Sequence, residues 1–285
     1  MVGHERIEPE IMKLLQIDAF SDRPYQGNPA AVCLLDRAVE ETWMQSVAAE
    51  MNLSETAFLH REGRGFRLRW FTPTTEVDLC GHATLAAAHA LWETGRVPEG
   101  QDIPFYTRSG DLSAHRQQSW IELDFPASPV VQRPPNDPIL PKLEAALDVI
   151  PLFVGESVLQ YLLVEVATAT EVQNLDPDFG QLGQLPCHGV IVTSRSQGLM
   201  LDRARQGDYD FISRFFAPQM GINEDPVTGS AHCCLGPYWG RKLKKMQLLA
   251  YQASPRGGIV RVRREAERVV LGGQAVTVLE GTLLG

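Results

Sequence analysis

Residues Arg69-Trp70-Phe71-Thr72-Pro73, followed by Glu76 and then Gly81-His82-Ala83, have a second copy in the chain: Arg214-Phe215-Phe216-Ala217-Pro218, Glu224, Gly229-Ser230-Ala231. The first block recurs at an offset of 145 and the second at 148, so three extra residues separate them in the second copy. Leu91-Trp92 and Tyr238-Trp239 close the two copies. Each reads as strand, turn, Gly-x-Ala, helix, and an offset near half of the 285 residues predicts two similar halves. The Pro-rich run from Pro126 to Pro141 reads as the connection between them. The expected division is therefore 1–127 and 128–285, with the final strand returning to the first half.

Strand patterns spread outward from the repeat. Ile121, Leu123 and Phe125 alternate with Trp120, Glu122 and Asp124, and similar runs cover 14–20, 30–35, 56–59, 65–70, 161–166, 190–193, 259–263 and 276–279. Helices are fewer. Trp43, Val47 and Met51 recur at helical spacing within 40–51, an Ala-rich helix over 83–94 stops at Gly95, and a third over 231–245 ends among lysines. Pro237 should kink that third helix, because a proline removes one of its backbone hydrogen bonds.

With 44% apolar and 21% charged residues, 24 Gly and 19 Pro, the composition is that of a globular chain long enough for about two domains. The formal charge of −9 and the scattered bases exclude a nucleic-acid binder. No apolar run approaches the about 18 residues that span a bilayer, so no membrane partner is expected. Residues 1–12 do not read as a secretory signal, and five cysteines without C-x-x-C spacing fit reduced thiols; the expected location is the cytoplasm. His89, His188 and His232 have no ligand spacing, and there is no Gly-x-Gly-x-x-Gly or phosphate loop, so neither a metal nor another cofactor is expected.

Gly81 and Gly229 each stand where a turn feeds a helix, whose unpaired N–H groups attract anions. Packed about a pseudo-twofold axis, two such starts could hold a substrate carboxylate, although either glycine alone reads equally as a tight turn. Taken singly, the other candidates have plain readings too: Glu55 beside Ser54 as a surface turn residue, Asp225 before Pro226 as a turn or cap, His82 as a core histidine, Ser230 as an ordinary helix residue.

Together with the Gly-x-Ala pair, Asp18-Ala19-Phe20, Gly27-Asn28-Pro29-Ala30-Ala31-Val32, Asn52-Leu53-Ser54-Glu55-Thr56-Ala57-Phe58, Cys80-Gly81-His82-Ala83-Thr84 and the run from Glu224 to Ala231 resemble the PhzF-like, phenazine biosynthesis-like isomerase family. Arg256-Gly257-Gly258 and the closing run from Val278 to Leu283 are similar to its mammalian members. The resemblance runs nearly end to end. It implies an α+β, diaminopimelate-epimerase-like fold of two pseudo-symmetric halves, each a curled, mostly antiparallel sheet around a central helix. It further implies a cofactor-independent isomerase shifting a proton in a small carboxylated substrate. On this resemblance Glu55 is expected to be the acid/base, with His82, Asp225 and Ser230 around the substrate and Gly81, His82, Gly229 and Ser230 binding it. A homodimer is expected by analogy.

For one carboxyl to take and return a proton, the pKa of Glu55 should lie above the usual about 4.3, through burial against neighbours such as Phe58. Two rivals remain. A racemase or epimerase would use Cys80, but such enzymes keep a cysteine before each glycine, and the second position here is Thr228, whose hydroxyl is a poor base. A metabolite-binding or interaction protein would keep the fold without turnover.

Overall fold

Alternating apolar side chains build the first half of the computed structural model, which describes residues 12–196 and 209–284. Its elements are β1 (Met12–Ala19), β2 (Asn28–Leu34), α1 (Glu41–Met51), β3 (Glu55–Glu62), β4 (Gly65–Phe71), β5 (Glu76–Val77), α2 (Gly81–Glu93), β6 (Ile103–Thr107), β7 (Gly110–Gln117) and β8 (Trp120–Pro126). The second half runs through β9 (Val131–Gln132), α3 (Leu140–Leu147), β10 (Phe153–Glu156), β11 (Tyr161–Glu165), α4 (Ala169–Gln173), α5 (Phe179–Leu182), β12 (Gly189–Arg195), β13 (Phe211–Ala217), β14 (Ile222–Glu224), α6 (Gly229–Leu243), β15 (Gln247–Gln252), β16 (Gly258–Glu265) and β17 (Arg268–Gly273). The last strand, β18 (Ala275–Leu283), pairs with β1. Residues 1–12, read above as lacking a secretory signal, lie outside the described residues except for Met12.

Strand neighbours follow the same path twice. In one half the order is β18-β1-β2-β3-β4-β6-β7-β8, in the other β9-β10-β11-β12-β13-β15-β16-β17, and β8 meets β17 between them. Pairing is antiparallel except for β2 with β3, β4 with β6, β11 with β12 and β13 with β15. The registers superpose at the offsets of the sequence repeat: Phe66 lies opposite Phe105 and Phe211 opposite Ala250, while Ala114 faces Leu123 and Val262 faces Leu271. This is the α+β, epimerase-like architecture of two curled sheets, each around a helix. The Pro-rich stretch expected as a plain connection carries β9 and the start of α3.

Each central helix is buried on nearly all sides because its sheet wraps it. Ala83, Leu85, Ala86, Ala87, Ala88, Ala90 and Leu91 of α2 are fully buried, and Cys234, Leu235 and Trp239 of α6 join the same core. Two smaller clusters lie elsewhere, one pairing α1 with Ala31, Cys33 and Phe58, the other beneath α3, α4 and α5. Helix α6 is continuous through Pro237. The Cys233 carbonyl, which a non-proline residue at 237 would bond, accepts instead from the Ser128 N–H at 3.0 Å, so the backbone bond lost to the proline is replaced by the chain crossing between the halves. Among the described residues, no helix is long and apolar enough to cross a membrane.

Candidate active site

Helices α2 and α6 meet at their N-termini. A Cβ built on Gly81 would lie 3.6 Å from the Gly229 Cα, and the converse distance is the same. Glycine therefore lets two backbones approach, and the resulting amide groups converge. Neither helix has a side-chain N-cap: Cys80 and Thr228 hold the cap positions without bonding the first turn. Thr228, a residue type that would ordinarily cap, donates its hydroxyl to Asp225 Oδ2. Each cap carbonyl is gripped from one turn on by a side chain, by Thr84 Oγ1 on Cys80 (2.5 Å) and by His232 Nδ1 against Thr228 (2.7 Å). Positive dipole ends thus face one another at the junction of the halves, an environment suited to an anion.

Glu55 opens β3, and strand alternation turns it with Ala57 and Leu59 toward the core around α2. Phe58 is not its neighbour. Three residues on, it faces the other side and packs edge-on against Trp43 and Phe71. What surrounds the Glu55 carboxyl is His82, Cys80 and Asp225. His82 Nε2 stands 3.2 Å from Glu55 Oε2, while Cys80 Sγ lies 3.5 Å from His82 Nδ1. The Glu55 side chain is 14% exposed. Burial, reinforced by the charge of Asp225 and opposed by a hydrogen bond from the Cys80 thiol, pushes its pKa up to about 8. Burial lowers that of His82 to about 3, so its imidazole is neutral and the close contact is no ion pair. The Cys80 thiol is pushed well above the ordinary thiol range, first by burial and then by the Glu55 charge.

Asp225 comes from the other half and is held there by several donors. Asn28 Nδ2 donates to Asp225 Oδ1 and to the Val227 carbonyl, both at 2.9 Å, and Gln252 Nε2 bonds the Asp225 carbonyl at 2.9 Å. Burial raises the Asp225 pKa to about 6, against the lowering effect of Thr228 and Asn28. Near neutral pH the two acids therefore divide the roles: Asp225 ionises first, and its charge helps keep the proton on Glu55. Ser230, in the first turn of α6, meets the Tyr161 hydroxyl at 3.2 Å. Asn28, Tyr161 and Gln252 were not among the residues expected from sequence. Asn28 stands in a quoted motif, but nothing local tells what its amide will bond.

The second half has no copy of Glu55. Thr56 lies opposite Phe71 and Val190 opposite Phe216, which makes Gly189 the counterpart of Glu55. A Cβ at Gly189 would fall 2.4 Å from the Phe215 ring, which fills the space the acid has in the first half. His82 and Ser230, by contrast, are counterparts with different side chains.

Two epimerase-like halves, with a buried carboxyl and a neutral imidazole at their junction, define a protein of the isomerase and epimerase class. Comparison with known proteins narrows this. The family profile described as phenazine biosynthesis-like protein matches residues 17–281. An uncharacterized isomerase of Halalkalibacterium halodurans is 52% identical, over 94% of this chain and 97% of its own. A phenazine biosynthesis protein of the PhzF family from Enterococcus faecalis, solved by crystallography, superposes with a TM-score of 0.89 at 39% identity, covering 96% of this chain and all of that one. In fold alone, likeness extends to a hydroxyproline epimerase from Agrobacterium vitis, with a TM-score of 0.62 at 11% identity over 96% of this chain and 92% of that one. The chain belongs to the phenazine biosynthesis-like protein family.

Proposed function

We propose that this protein is a cofactor-independent isomerase that moves a proton, and with it a double bond, within a small carboxylated molecule. The observation that carries this reading is the Glu55 carboxyl, at a pKa of about 8 and 3.2 Å from a neutral His82, beside two uncapped helix starts. A carboxyl with that proton affinity is populated in both forms near neutral pH, which lets one group deliver a proton to one carbon and collect it from another. The converging amides of α2 and α6 bind the substrate carboxylate and stabilise charge that spreads onto it as the C–H bond breaks. Asp225, ionised and pinned by Asn28 and Thr228, holds a polar substituent of the substrate. His82 orients the reacting carbon against Glu55, and Ser230 donates from the α6 side.

Inversion by paired thiols finds little support. Cys80 is a buried thiol with a raised pKa, so little thiolate is present, and its counterpart Thr228 has already given its hydroxyl proton to a hydrogen bond with Asp225.

The test is solvent-deuterium incorporation, read by mass spectrometry across a panel of small unsaturated acids in D₂O. Wild-type protein should label at least one acid, and Glu55→Gln should lower that rate by about 100-fold or more, the usual worth of a positioned acid/base. Undiminished labelling by folded Glu55→Gln would remove Glu55 from the role. Tight binding of acids with no labelling by wild type would favour a non-catalytic binder instead.

A further inference from the structure

We propose that Glu55, Cys80 and His82 form a binding site for a thiophilic divalent cation, of which zinc is the natural probe. The three come from two elements: Glu55 opens β3, Cys80 precedes α2 and His82 lies in its first turn. One donor atom from each lies within 4.8 Å of the others. Among the described residues, this is the one group of three or more His, Cys, Asp or Glu side chains so arranged. Ligand atoms around a tetrahedral zinc, at bond lengths of about 2.0–2.3 Å, stand about 3.3–3.6 Å apart. The contacts from His82, 3.5 Å to Cys80 Sγ and 3.2 Å to Glu55 Oε2, already fall close to that range. They use opposite ring nitrogens, so a cation bonded to one nitrogen takes up one of these spacings as it stands, and the third donor, within 4.8 Å, closes in by side-chain rotation.

A second observation is independent of the spacing. His82 Nε2 and Glu55 Oε2 are both buried and, although 3.2 Å apart, neither makes a hydrogen bond. His82 is only 5% exposed. Buried polar atoms are nearly always satisfied, and two orphans bordering one gap, with a sulfur beside them, are what a cation would satisfy together. The donor set names the class of cation: thiolate with imidazole and carboxylate suits zinc or cobalt, whereas magnesium and calcium take oxygen ligands. Three protein ligands leave a fourth position for water or for a carboxylate.

Binding forms one bond each to sulfur, nitrogen and oxygen, displaces water from the hydrated ion, and releases to solvent the Cys80 thiol proton and any proton on Glu55. The site shares Glu55 and His82 with the reaction proposed above, but its argument from donor atoms does not need that reaction. Only its consequence, that an occupying cation withdraws Glu55 from proton transfer, rests on that reading.

The experiment is a cobalt(II) titration of chelator-treated protein, followed by displacement with zinc. Wild-type protein should develop a near-ultraviolet sulfur-to-cobalt charge-transfer band that saturates at one equivalent and vanishes on adding zinc. Cys80→Ser should lose the band, and zinc affinity by calorimetry should fall by about tenfold or more in Glu55→Gln and in His82→Gln. Absence of the band in wild type overturns the proposal, as does its survival in Cys80→Ser or unchanged zinc affinity in the other two variants. The wild-type and Glu55→Gln arms decide the matter even if Cys80→Ser does not fold. Deuterium labelling in metal-free buffer reports separately on the reaction, so failure of one reading leaves the other standing.

Discussion

Glu55 binds its proton far more tightly in the folded chain, at a pKa of about 8, than an ordinary glutamate carboxyl of about 4.5 does in the unfolded chain. The sign of the resulting pH dependence is fixed by that inequality. Its stabilising contribution is complete below about pH 4.5 and is lost as pH rises through about 8, because only the folded state retains the proton in between. Each tenfold change in proton affinity is worth about 1.4 kcal/mol, so Glu55→Gln should gain on the order of 1 to 4 kcal/mol over wild type between pH 5 and 9. Urea denaturation of both proteins across that range checks it, and parallel curves would refute the raised pKa. Asp225, raised to about 6, acts with the same sign and should leave a residual slope below that pH in Glu55→Gln. Asn28 supplies a second prediction. Its amide joins the halves by donating to Asp225 and Val227, so Asn28→Ala strips two buried acceptors and should cost about 2–3 kcal/mol in thermal denaturation. Neither role could be read locally. Glu55 alone resembles a turn glutamate, and it was its place within a motif that singled it out. The partners of Asn28 lie 197 and 199 residues away, and the Tyr161 partner Ser230 lies 69 away, beyond the reach of any spacing rule.

The repeated strand-turn units carry one device in two settings. Arg69 forks onto Glu76 at 2.7 and 2.8 Å, and Arg214 onto Glu224 at 2.7 and 2.8 Å, each guanidinium also lying over a phenylalanine two residues on. Their surroundings differ. The Arg214 side chain is 10% exposed and also donates to the Leu175 carbonyl at 2.7 Å, whereas Arg69 is 24% exposed and shares Glu76 with Arg108. Arg214→Ala should therefore cost about 3–5 kcal/mol by stranding a buried carboxylate. Arg69→Ala, where Arg108 remains to neutralise Glu76, should cost only about 1–2 kcal/mol. Equal losses in parallel thermal melts would show that Arg108 does not stand in for Arg69 at Glu76. Element by element, legibility followed how local the deciding contact is. Helix α1 and strand β8 were plain from periodicity, and α2 from its run of alanines ending at a glycine. Strand β6 was hidden by Pro104, which reads as a breaker but is tolerated because the β4 pairing involves only Phe105 and Tyr106. Strand β17 ends in Gly272-Gly273, which reads as a turn. The continuity of α6 through Pro237 depends on Ser128, more than a hundred residues earlier.

At the scale of the whole molecule, the repeat in the sequence corresponds to a palindrome of strands, yet the copies are not capped alike. In the second half the strand beside β10 is β9, only two residues long and close in the chain. The corresponding strand beside β1 is β18, nine residues long and supplied from the far end of the chain. No periodicity within β18 names its partner, and its side chains are intermediate or exposed, so it contributes through its backbone ladder more than through apolar burial. Its partner is of the opposite kind: Leu15, Ile17 and Ala19 of β1 are fully buried. Deleting residues 275–284 should thus leave the core of both halves intact while exposing a long strand edge rich in apolar residues, the configuration that invites pairing with another chain. The truncated protein should melt lower by about 5 °C or more, since a loss of a few kcal/mol moves a chain of this size by that much. It should also associate with increasing concentration on a sizing column with light scattering. A variant that keeps β18 but replaces Val276 and Val278 by threonine retains the ladder and should keep both the melting temperature, within about 2 °C, and the size of the wild type. If truncation changes neither, the first half closes without its distant strand, and β18 is dispensable to the fold.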